Sequence, residues 1–239
     1  MPKLTVSTFS PDWGLPTSGP FALKLLKWLD LANIPYDHVF EDVPSKGPKG
    51  KSPWIEFDGE RIGDSEVIIE LLARRSGFNI DAGLTEEQRA LSHTLRRMLE
   101  EHFHMLLEWE LFVHPAGIEA VRGMAARVAP GIVAAPVAAM ICRHFRTQLT
   151  ARGIARHDAA TIAAKGKADL DAIEAILGDK PFLVASHPSM ADLSAYGLLG
   201  PMAAWPMPTP VADSIKSRPG LLAYLQRVAE AKAEARVAA

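Results

Sequence analysis

The spacing of the apolar residues changes once along the chain, between Gly77 and Thr85. Before the change, short alternating or β-branched runs lie between turn residues, which is typical of a mixture of strands and helices. After it, apolar residues recur at helical spacing to the end of the chain, with no convincing strand. The sequence therefore predicts a small α/β domain at residues 1–80 and an all-helical domain at residues 85–239.

The first half of the chain contains the pattern β-α-β, a loop, then β-β-α. The strands are predicted in "KLTVSTF", "YDHVFE", "WIEF" and "ERIG", and the turn Asp58-Gly59 joins the last two as a hairpin. One helix begins at Pro20, which is a favourable first helical residue. A second helix, "SEVIIELLARR", is opened by Ser65 and closed by Gly77.

The second half contains several long helical patterns. The segment "TEEQRALSHTLRRMLEEHFHMLLEWELF" predicts one long helix that begins at a capping box of Thr85 and Gln88. Another helix ends at Gly178, and a further capping box of Ser189 and Asp192 opens "ADLSAYGLL". The last helix is predicted in "RPGLLAYLQRVAEAKAEARV".

Composition excludes several classes of function. A net charge of −2 over 239 residues lacks the overall basic excess of a nucleic-acid-binding protein, which leaves a local basic patch as the alternative. The single cysteine, Cys142, excludes an intramolecular disulfide and predicts a cytoplasmic setting, and the N-terminus lacks the apolar core of a secretory signal. The most apolar run, Val128 to Cys142, is shorter than the ~20 residues that span a bilayer. We expect it to be an irregular helical segment packed inside the protein, without membrane insertion.

Two polar pairs lie about one hairpin apart. Ser52-Pro53 precedes a strand, where a proline is tolerated because it cannot donate to the sheet; it is either an ordinary strand-entry proline or a cis peptide, a form taken by ~5–6% of such bonds. Asp64-Ser65 lies where a strand ends and a helix begins; it is either a helix cap or a site for a carboxylate. Together the pairs predict a site for a small peptide that bears a carboxylate, and a cis Ser52-Pro53 bond.

The order of these features resembles a glutathione transferase. The resemblance rests on the position of Pro53, on "GDSEVIIELL", on the all-helical second half and on "HPSMADLSAYGLL". The segments "FSPDWGLPTSGPFALKLLKWLDLANIPYD" and "GIARHDAATIAAKGKADLDAIEAILGDKPFL" are similar to the metaxin and failed-axon-connections branch. The resemblance covers essentially the whole chain. It implies an α/β N-terminal thioredoxin-like domain that binds glutathione, followed by an all-α C-terminal domain.

The resemblance also implies which residues hold glutathione, the co-substrate. Ser52, before the cis proline Pro53, would bind the cysteinyl backbone. Ser65 and its N–H would take the γ-glutamyl carboxylate, and Asp64 would lie near the amine. Lys51 lies where a polar side chain often reaches the tripeptide; the alternative is a solvated loop lysine.

The resemblance also implies a residue that activates the thiol of glutathione, because only the thiolate is a good nucleophile. Relatives supply Tyr, Ser or Cys near the end of the first strand, but here no Tyr precedes Tyr36 and Gly19 replaces the expected Cys. Ser18 is the nearest hydroxyl, and its alternative role is a helix cap alone. The other candidates are Thr17, Ser10 and Thr8, or bare backbone N–H groups near Gly19.

An electrophile pocket has no readable motif. The residues that could line it are Trp109, Phe112, Phe103 and Met105, whose alternative role is to pack in the helix core, and also His114 and Trp13. His102 and His104 are two residues apart and do not share a helix face, so we predict no metal site.

Three functions compete on these observations. The first is an enzyme that conjugates glutathione to a small hydrophobic electrophile, acting as a homodimer. The second is a non-catalytic binding or scaffold module of the same fold. The third is a glutathione-dependent reductase or dehalogenase, of which the reductase is disfavoured, since Gly19 stands where the nucleophilic cysteine would be.

Overall fold

The computed structural model describes residues 3–129 and 131–232. Within them, four strands form one sheet: β1 (Thr5–Thr8), β2 (Asp37–Phe40), β3 (Trp54–Phe57) and β4 (Glu60–Gly63). The spatial order is β2-β1-β3-β4, with β1 and β2 parallel and the other pairs antiparallel. The predicted strands and the Asp58-Gly59 hairpin are thus confirmed.

Two helices accompany the sheet. α1 (Pro20–Ala32) connects β1 to β2, and α2 (Ser65–Ser76) follows β4 and ends at Gly77. Their buried apolar side chains join those of the strands in one core cluster, which includes Val6, Leu25 and Ile68. The connection between β2 and β3 is the predicted loop, with a single 3₁₀ turn at Pro44–Lys46.

All the later elements that the structure describes are helical. The predicted long helix comprises α3 (Glu86–Arg97), a π-helical segment (Met98–Phe103) and α4 (His104–Phe112). The others are α5 (Pro115–Val128), α6 (Ala134–Ala151), α7 (Ala159–Leu177), α8 (Met190–Ala204), α9 (Pro210–Lys216) and α10 (Pro219–Glu230), with short 3₁₀ turns at Gly131–Val133 and Ile154–Arg156. The fold class is confirmed, whereas the domain limits 1–80 and 85–239 stay a prediction. Part of the last predicted helix, 233–237, lies outside the described residues.

The local signals at the helix ends are confirmed. The Thr85 hydroxyl accepts from the Gln88 backbone N–H, while the Gln88 side chain accepts from Thr85. Ser189 and Asp192 form the second capping box, and Gly178 ends α7. These caps satisfy backbone donors that a helix start leaves without partners.

A buried ion pair joins the two halves of the chain. Nζ of Lys24, on α1, lies 2.7 Å from Oε1 of Glu100 in the π-helical segment. α1 also packs closely on α8, since a Cβ added at Gly197 would lie 2.6 Å from the carbonyl oxygen of Pro20. The first turn of α1 is therefore fixed against the helical half.

The apolar run from Val128 to Cys142 is only partly buried, which corrects the expectation that it is packed inside the protein. One face of α6, with Ala134, Ala138 and Cys142, is buried. Ile132 is 93% exposed and Met140 is 64% exposed, because they project from the opposite side of the turn and helix. Across the described residues, no helix has the length and apolar character needed to cross a bilayer.

Candidate functional site

The strand register brings the two polar pairs to one end of the sheet. Ser7 near the end of β1 pairs with Trp54 at the start of β3, and Trp54 pairs with Gly63 at the end of β4. Pro53 and Asp64, one residue beyond these pairs, therefore lie at the same sheet edge. The N-terminus of α2 lies at this edge because it follows β4 directly, and the start of α1 lies nearby because the Ser18 N–H donates to the carbonyl of Ser10, two residues after β1. The Ser52–Pro53 peptide bond is cis, as predicted.

Ser52 contributes a hydroxyl that has no protein partner. Its Oγ is buried and makes no hydrogen bond within the described chain. Buried polar atoms nearly always have a partner, and those without one call for an explanation. A ligand that bears hydrogen-bonding groups would supply one here.

Asp64, and not Ser65, caps α2 with its side chain. Asp64 Oδ1 accepts from the backbone N–H groups of Glu66 at 3.0 Å and Val67 at 3.4 Å. The Asp64 backbone has φ of 88°, a conformation that non-glycine residues rarely adopt and that clusters at functional sites. Nζ of Lys49, which sequence reasoning missed, lies 3.7 Å from Asp64 Oδ2.

Ser65 is buried as the first residue of α2. Its hydroxyl has no hydrogen-bond partner in the part of the chain that the structure describes. The capping interpretation of the Asp-Ser pair therefore applies to Asp64, and the hydroxyl of Ser65 remains available at a helix N-terminus.

Three of the four hydroxyls considered for thiol activation already have a hydrogen-bond partner, and two of them, those of Thr8 and Ser10, already donate their proton. Thr8 Oγ1 donates to the carbonyl of Phe9 at 2.9 Å and lies 2.7 Å from Nε2 of His38. Ser10 donates to Asp42 at 2.7 Å. Thr17, which is buried, accepts from the N–H of Gly19 at 3.2 Å, so its oxygen serves the start of α1.

Ser18 is the fourth candidate, and it keeps a free hydroxyl. Within residues 3–129 and 131–232 its side chain makes no hydrogen bond, and no side chain caps α1. Thr17, not Ser18, bonds the Gly19 N–H, so the alternative role of Ser18 as a cap is not what the structure shows. A Cβ at Gly19 would lie 3.1 Å from Cδ2 of Phe9 and 3.3 Å from Cβ of Ala22, so a cysteine fits there only if the Phe9 ring shifts.

Lys51 extends from the loop before β3 towards the helical half. Its ammonium lies 5.5 Å from the ring centroid of Phe145 on α6. The Phe145 ring stacks on Phe112 of α4, with centroids 3.9 Å apart and planes 5° apart. Lys51 is therefore close to aromatic side chains from the helical half.

Two titratable residues on α4 also face this region. The His104 ring makes an edge contact with Phe21 of α1 at 4.9 Å, and its Nε2 lies 3.8 Å from Oε1 of Glu108. Burial lowers the pKa of His104 to about 4, and the cations Lys51 and Arg152 act in the same direction. Burial raises the pKa of Glu108, against the effect of the same two cations. Sequence reasoning missed this pair, although a four-residue spacing in the apolar run "HMLLEWELF" was the available signal.

Trp13 lies against a surface cavity of about 380 Å³ between the loop after β1, α5 and the segment before α9. Its ring contacts Trp205 edge-on at 5.8 Å. Arg127 donates to Asp12 at 2.7 Å at the cavity wall. The remaining lining residues are Ala116, Glu119, Ala120, Gly123, Met124, Pro206 and Met207.

Trp109 and its neighbours occupy other positions. Trp109 is 5% exposed, contacts the His114 ring at 5.9 Å and has no hydrogen-bond partner in the described chain for its indole N–H. Phe103 is fully buried, and Met105 is partly buried against the core. Trp109 and Trp13 do not line the same cavity.

His102 pairs with Asp169 of α7, with Nδ1 2.7 Å from Oδ2. No cluster of three or more His, Cys, Asp or Glu residues suited to a metal ion occurs among the described residues.

Comparison with protein families decides the classification. The family model "Glutathione S-transferase N-terminal domain" matches residues 20–117, and "Glutathione S-transferase, C-terminal domain" matches residues 166–228. Together they cover more than half of the chain. The chain belongs to the glutathione S-transferase family.

Within the family, the chain is similar to two named relatives over most of its length. It is 28% identical to an isoprene-epoxide–glutathione S-transferase from Rhodococcus sp. (strain AD45), over 94% of this chain and 97% of the relative. It is 29% identical to Failed axon connections from Drosophila melanogaster, over 77% of this chain but 46% of that protein. The second match confirms the resemblance to the failed-axon-connections branch.

Solved structures agree on the glutathione transferase fold. The β-etherase LigF from Sphingobium sp. strain SYK-6 superposes with a TM-score of 0.58 at 17% identity, covering 94% of this chain and 99% of the etherase. The glutathione transferase F7 from Populus trichocarpa gives 0.57 at 16% identity, covering 95% and 94%. At these identities the likeness concerns the fold alone.

Proposed function

We propose that this protein is a glutathione S-transferase that stabilises the glutathione thiolate for attack on a small hydrophobic electrophile. The observation that carries the proposal is the set of unpaired hydroxyls near one end of the sheet. The hydroxyls of Ser18, Ser52 and Ser65 make no hydrogen bond in the described chain, while neighbouring polar side chains are engaged. The Ser52 hydroxyl is buried without a partner, which supports a polar ligand at this place, and the hydroxyls of Ser18 and Ser65 are free to bind the same ligand.

Glutathione is proposed to lie along this edge of the sheet. Ser52, beside the cis proline Pro53, would bind the cysteinyl backbone. Ser65 at the N-terminus of α2 would bind the γ-glutamyl carboxylate, which the positive end of the helix dipole also favours. Asp64 would lie near the amine of the ligand, and Lys51 would reach another polar part of the tripeptide.

The chemistry asked of Ser18 is hydrogen-bond donation to the sulfur. A free thiol has a pKa near 8.5 and is mostly protonated at neutral pH. A hydroxyl donor at the start of α1, together with the helix N-terminus, would stabilise S⁻ and so raise the thiolate fraction.

The electrophile is proposed to bind beside Trp13. The cavity at Trp13 has largely apolar walls, which suits a small hydrophobic molecule. Trp109, which is buried, would support the pocket from within the helical half. Because the Rhodococcus relative is named for isoprene epoxide, small epoxides are the first electrophiles to test.

The test is an ultraviolet titration of the protein with glutathione across pH. We expect thiolate absorbance to appear at a pH where free glutathione is protonated, with S-methylglutathione as the matched control that binds but cannot ionise. A bound thiol that titrates like free glutathione would refute the transferase.

A non-catalytic binding or scaffold protein is the second candidate. Two observations favour it: the match to Failed axon connections, and Gly19 at the position of the expected cysteine. It predicts glutathione binding with an unshifted thiol and no conjugation, so the same titration distinguishes the two candidates.

We also propose that the protein is a homodimer, as its family resemblance implies, and that it is cytoplasmic, as its single cysteine suggests. α2 and α3 are the elements expected at the interface, and Val67 on α2 is a 42%-exposed apolar residue available for burial there. Light scattering at micromolar concentration should give about twice the chain mass; a persistent monomer would contradict this.

A further inference from the structure

The side chains of His104 and Glu108 are both titratable, and neither makes a hydrogen bond among the residues that the structure describes. They lie one turn apart on α4, and His104 contacts Phe21 in the first turn of α1, three residues after Ser18. Glu108 is 8% exposed, and its one ionic neighbour on the same helix is His104 at 3.8 Å, beyond hydrogen-bond distance. Glu110, two residues away, provides the contrast, because its buried carboxylate accepts from Thr209, Val211 and Ala212.

The charged groups that face this pair come from several elements. Lys51 approaches from the loop before β3, and Arg152 from the end of α6. Glu100 acts on His104 from the π-helical segment, but it is itself paired with Lys24. The two cations favour a carboxylate once a proton has left Glu108, while burial favours the protonated form beforehand.

We propose that Glu108 is the proton donor to the substrate oxygen, which makes strained cyclic ethers, that is epoxides, the favoured electrophile class. This inference rests on the proposed function, because it needs glutathione at the start of α1, and it places the epoxide ring at the contact of α1 with α4 rather than in the cavity beside Trp13. Its geometric basis is that His104 and Glu108 share the face of α4 that meets the first turn of α1, and that Lys51 reaches both that face and the loop of Ser52.

The reaction step balances without any further reactant. The thiolate sulfur forms a bond to one ring carbon, the bond from that carbon to oxygen breaks, and its electron pair goes to the oxygen. The oxygen takes the proton of the Glu108 carboxyl, which gives a hydroxy thioether and a Glu108 carboxylate. The proton that glutathione lost to solvent is replaced on Glu108 from solvent, which completes the cycle.

His104 is a positioning residue in this scheme. The neutral His104 ring lies between Phe21 and Glu108 and fills the space on one side of the carboxyl group. Because the ring carries no positive charge, it does not favour loss of the proton from Glu108. General acid catalysis typically contributes ~10²–10⁴-fold. The expected loss on removing the acid is therefore large for a reaction that needs a proton.

The test compares two electrophiles in the full-length protein. With an epoxide the leaving oxygen needs a proton, whereas with an alkyl or aryl halide the leaving chloride does not. Glu108→Gln keeps the shape and removes the proton donor. We expect kcat for the epoxide to fall at least tenfold further than kcat for the halide, and Glu108→Asp to restore part of the epoxide rate.

The pH profile provides the second measurement. The rate of epoxide conjugation by the wild type should fall at high pH as Glu108 loses its proton. Glu108→Gln should remove this fall, and the rate with the halide should show no such fall in either protein.

An equal loss of rate for both electrophiles in Glu108→Gln, or an unchanged fall at high pH in that variant, overturns the inference. Conjugation of the halide but not the epoxide by the wild type overturns it while the transferase stands; no conjugation of either sinks the proposed function itself. Circular dichroism checks that the variant is folded.

Discussion

The carboxylate of Asp64 accepts a hydrogen bond from the backbone N–H of Glu66 at 3.0 Å. This bond divides the Asp-Ser pair into two functions, because the cap belongs to Asp64 while the hydroxyl of Ser65 has no partner in the described chain. The two residues of the pair can therefore be substituted separately, Asp64 to test stability and Ser65 to test glutathione binding.

Ser65→Ala should weaken glutathione binding more than it weakens the fold. Loss of a hydrogen bond to a charged group costs ~1.5–3 kcal/mol, or about tenfold to a hundredfold in affinity. Asp64→Ala should instead lower the free energy of unfolding by ~0.5–2 kcal/mol through loss of the cap. Calorimetric titration and thermal unfolding measure the two effects.

Asp64→Asn is the matched control, since asparagine caps a helix and accepts positive φ but carries no charge for the ligand amine. It should stay close to the wild type in stability. If Ser65→Ala binds glutathione like the wild type and only melts earlier, Ser65 does not bind the γ-glutamyl carboxylate and the Asp-Ser pair is ordinary structure.

Ser18→Ala should raise the pKa of the bound glutathione thiol by about one unit and slow conjugation, while glutathione affinity changes little. The reason is that a hydrogen bond to the sulfur is worth ~1 kcal/mol, close to one pKa unit. The thiolate absorbance titration reads the pKa directly.

Ser10→Ala provides the comparison for Ser18, because the Ser10 hydroxyl is already bonded to Asp42. It should lower stability without shifting the thiol titration. If the pKa of the bound thiol shifts in Ser10→Ala but not in Ser18→Ala, Ser10 activates the thiol and our assignment to Ser18 is wrong.

Gly117→Ala should strongly destabilise the helical half. A Cβ there would lie 1.9 Å from the carbonyl oxygen of Glu110, so α4 and α5 must separate to admit it. Overpacking of this kind costs ~1–3 kcal/mol or more. Gly123→Ala on the same helix has nothing within 4 Å of its new Cβ and should stabilise by ~0.5–1 kcal/mol. Urea unfolding of both variants checks the contrast; equal effects would mean that the α4–α5 contact is looser than described.

Much of the fold was predictable because its signals are local. The capping boxes at Thr85 and Ser189, the hairpin at Asp58-Gly59 and the stop at Gly178 each depend on neighbours within a few residues. Helical and strand periodicities then fixed the division between mixed and all-helical structure.

The rest depends on contacts between distant residues. The sequence offers four similar hydroxyls near the end of β1, those of Ser18, Ser10, Thr8 and Thr17. Only their hydrogen-bond partners in the fold, such as Asp42 and His38, distinguish them. His104 was set aside because His102 lies on another face, yet its neighbours Phe21 and Lys51 are more than 50 residues away in the chain. The exposure of Ile132 likewise depends on where α5 and α6 pack, which apolar composition does not reveal.

His104 should make the protein less stable as the pH falls from 7 to 5. Its pKa is lowered to about 4 in the folded protein from an ordinary 6.5, so the unfolded chain binds a proton that the folded chain refuses. Stability from this group is present above pH 6.5 and is lost as the pH falls towards 4, by about 2 kcal/mol between pH 7 and 5.

The raised pKa of Glu108 changes the free energy of unfolding with pH in the opposite direction. The effect of His104 is therefore measured as the difference in the free energy of unfolding between the wild type and His104→Gln. Urea unfolding at both pH values should show that difference shrink or reverse at pH 5, with His93→Gln on the exposed face of α3 as the control for loss of a histidine. If His104→Gln follows the wild type at both pH values, the ring is hydrated and ionises freely, and α4 does not enclose it against α1.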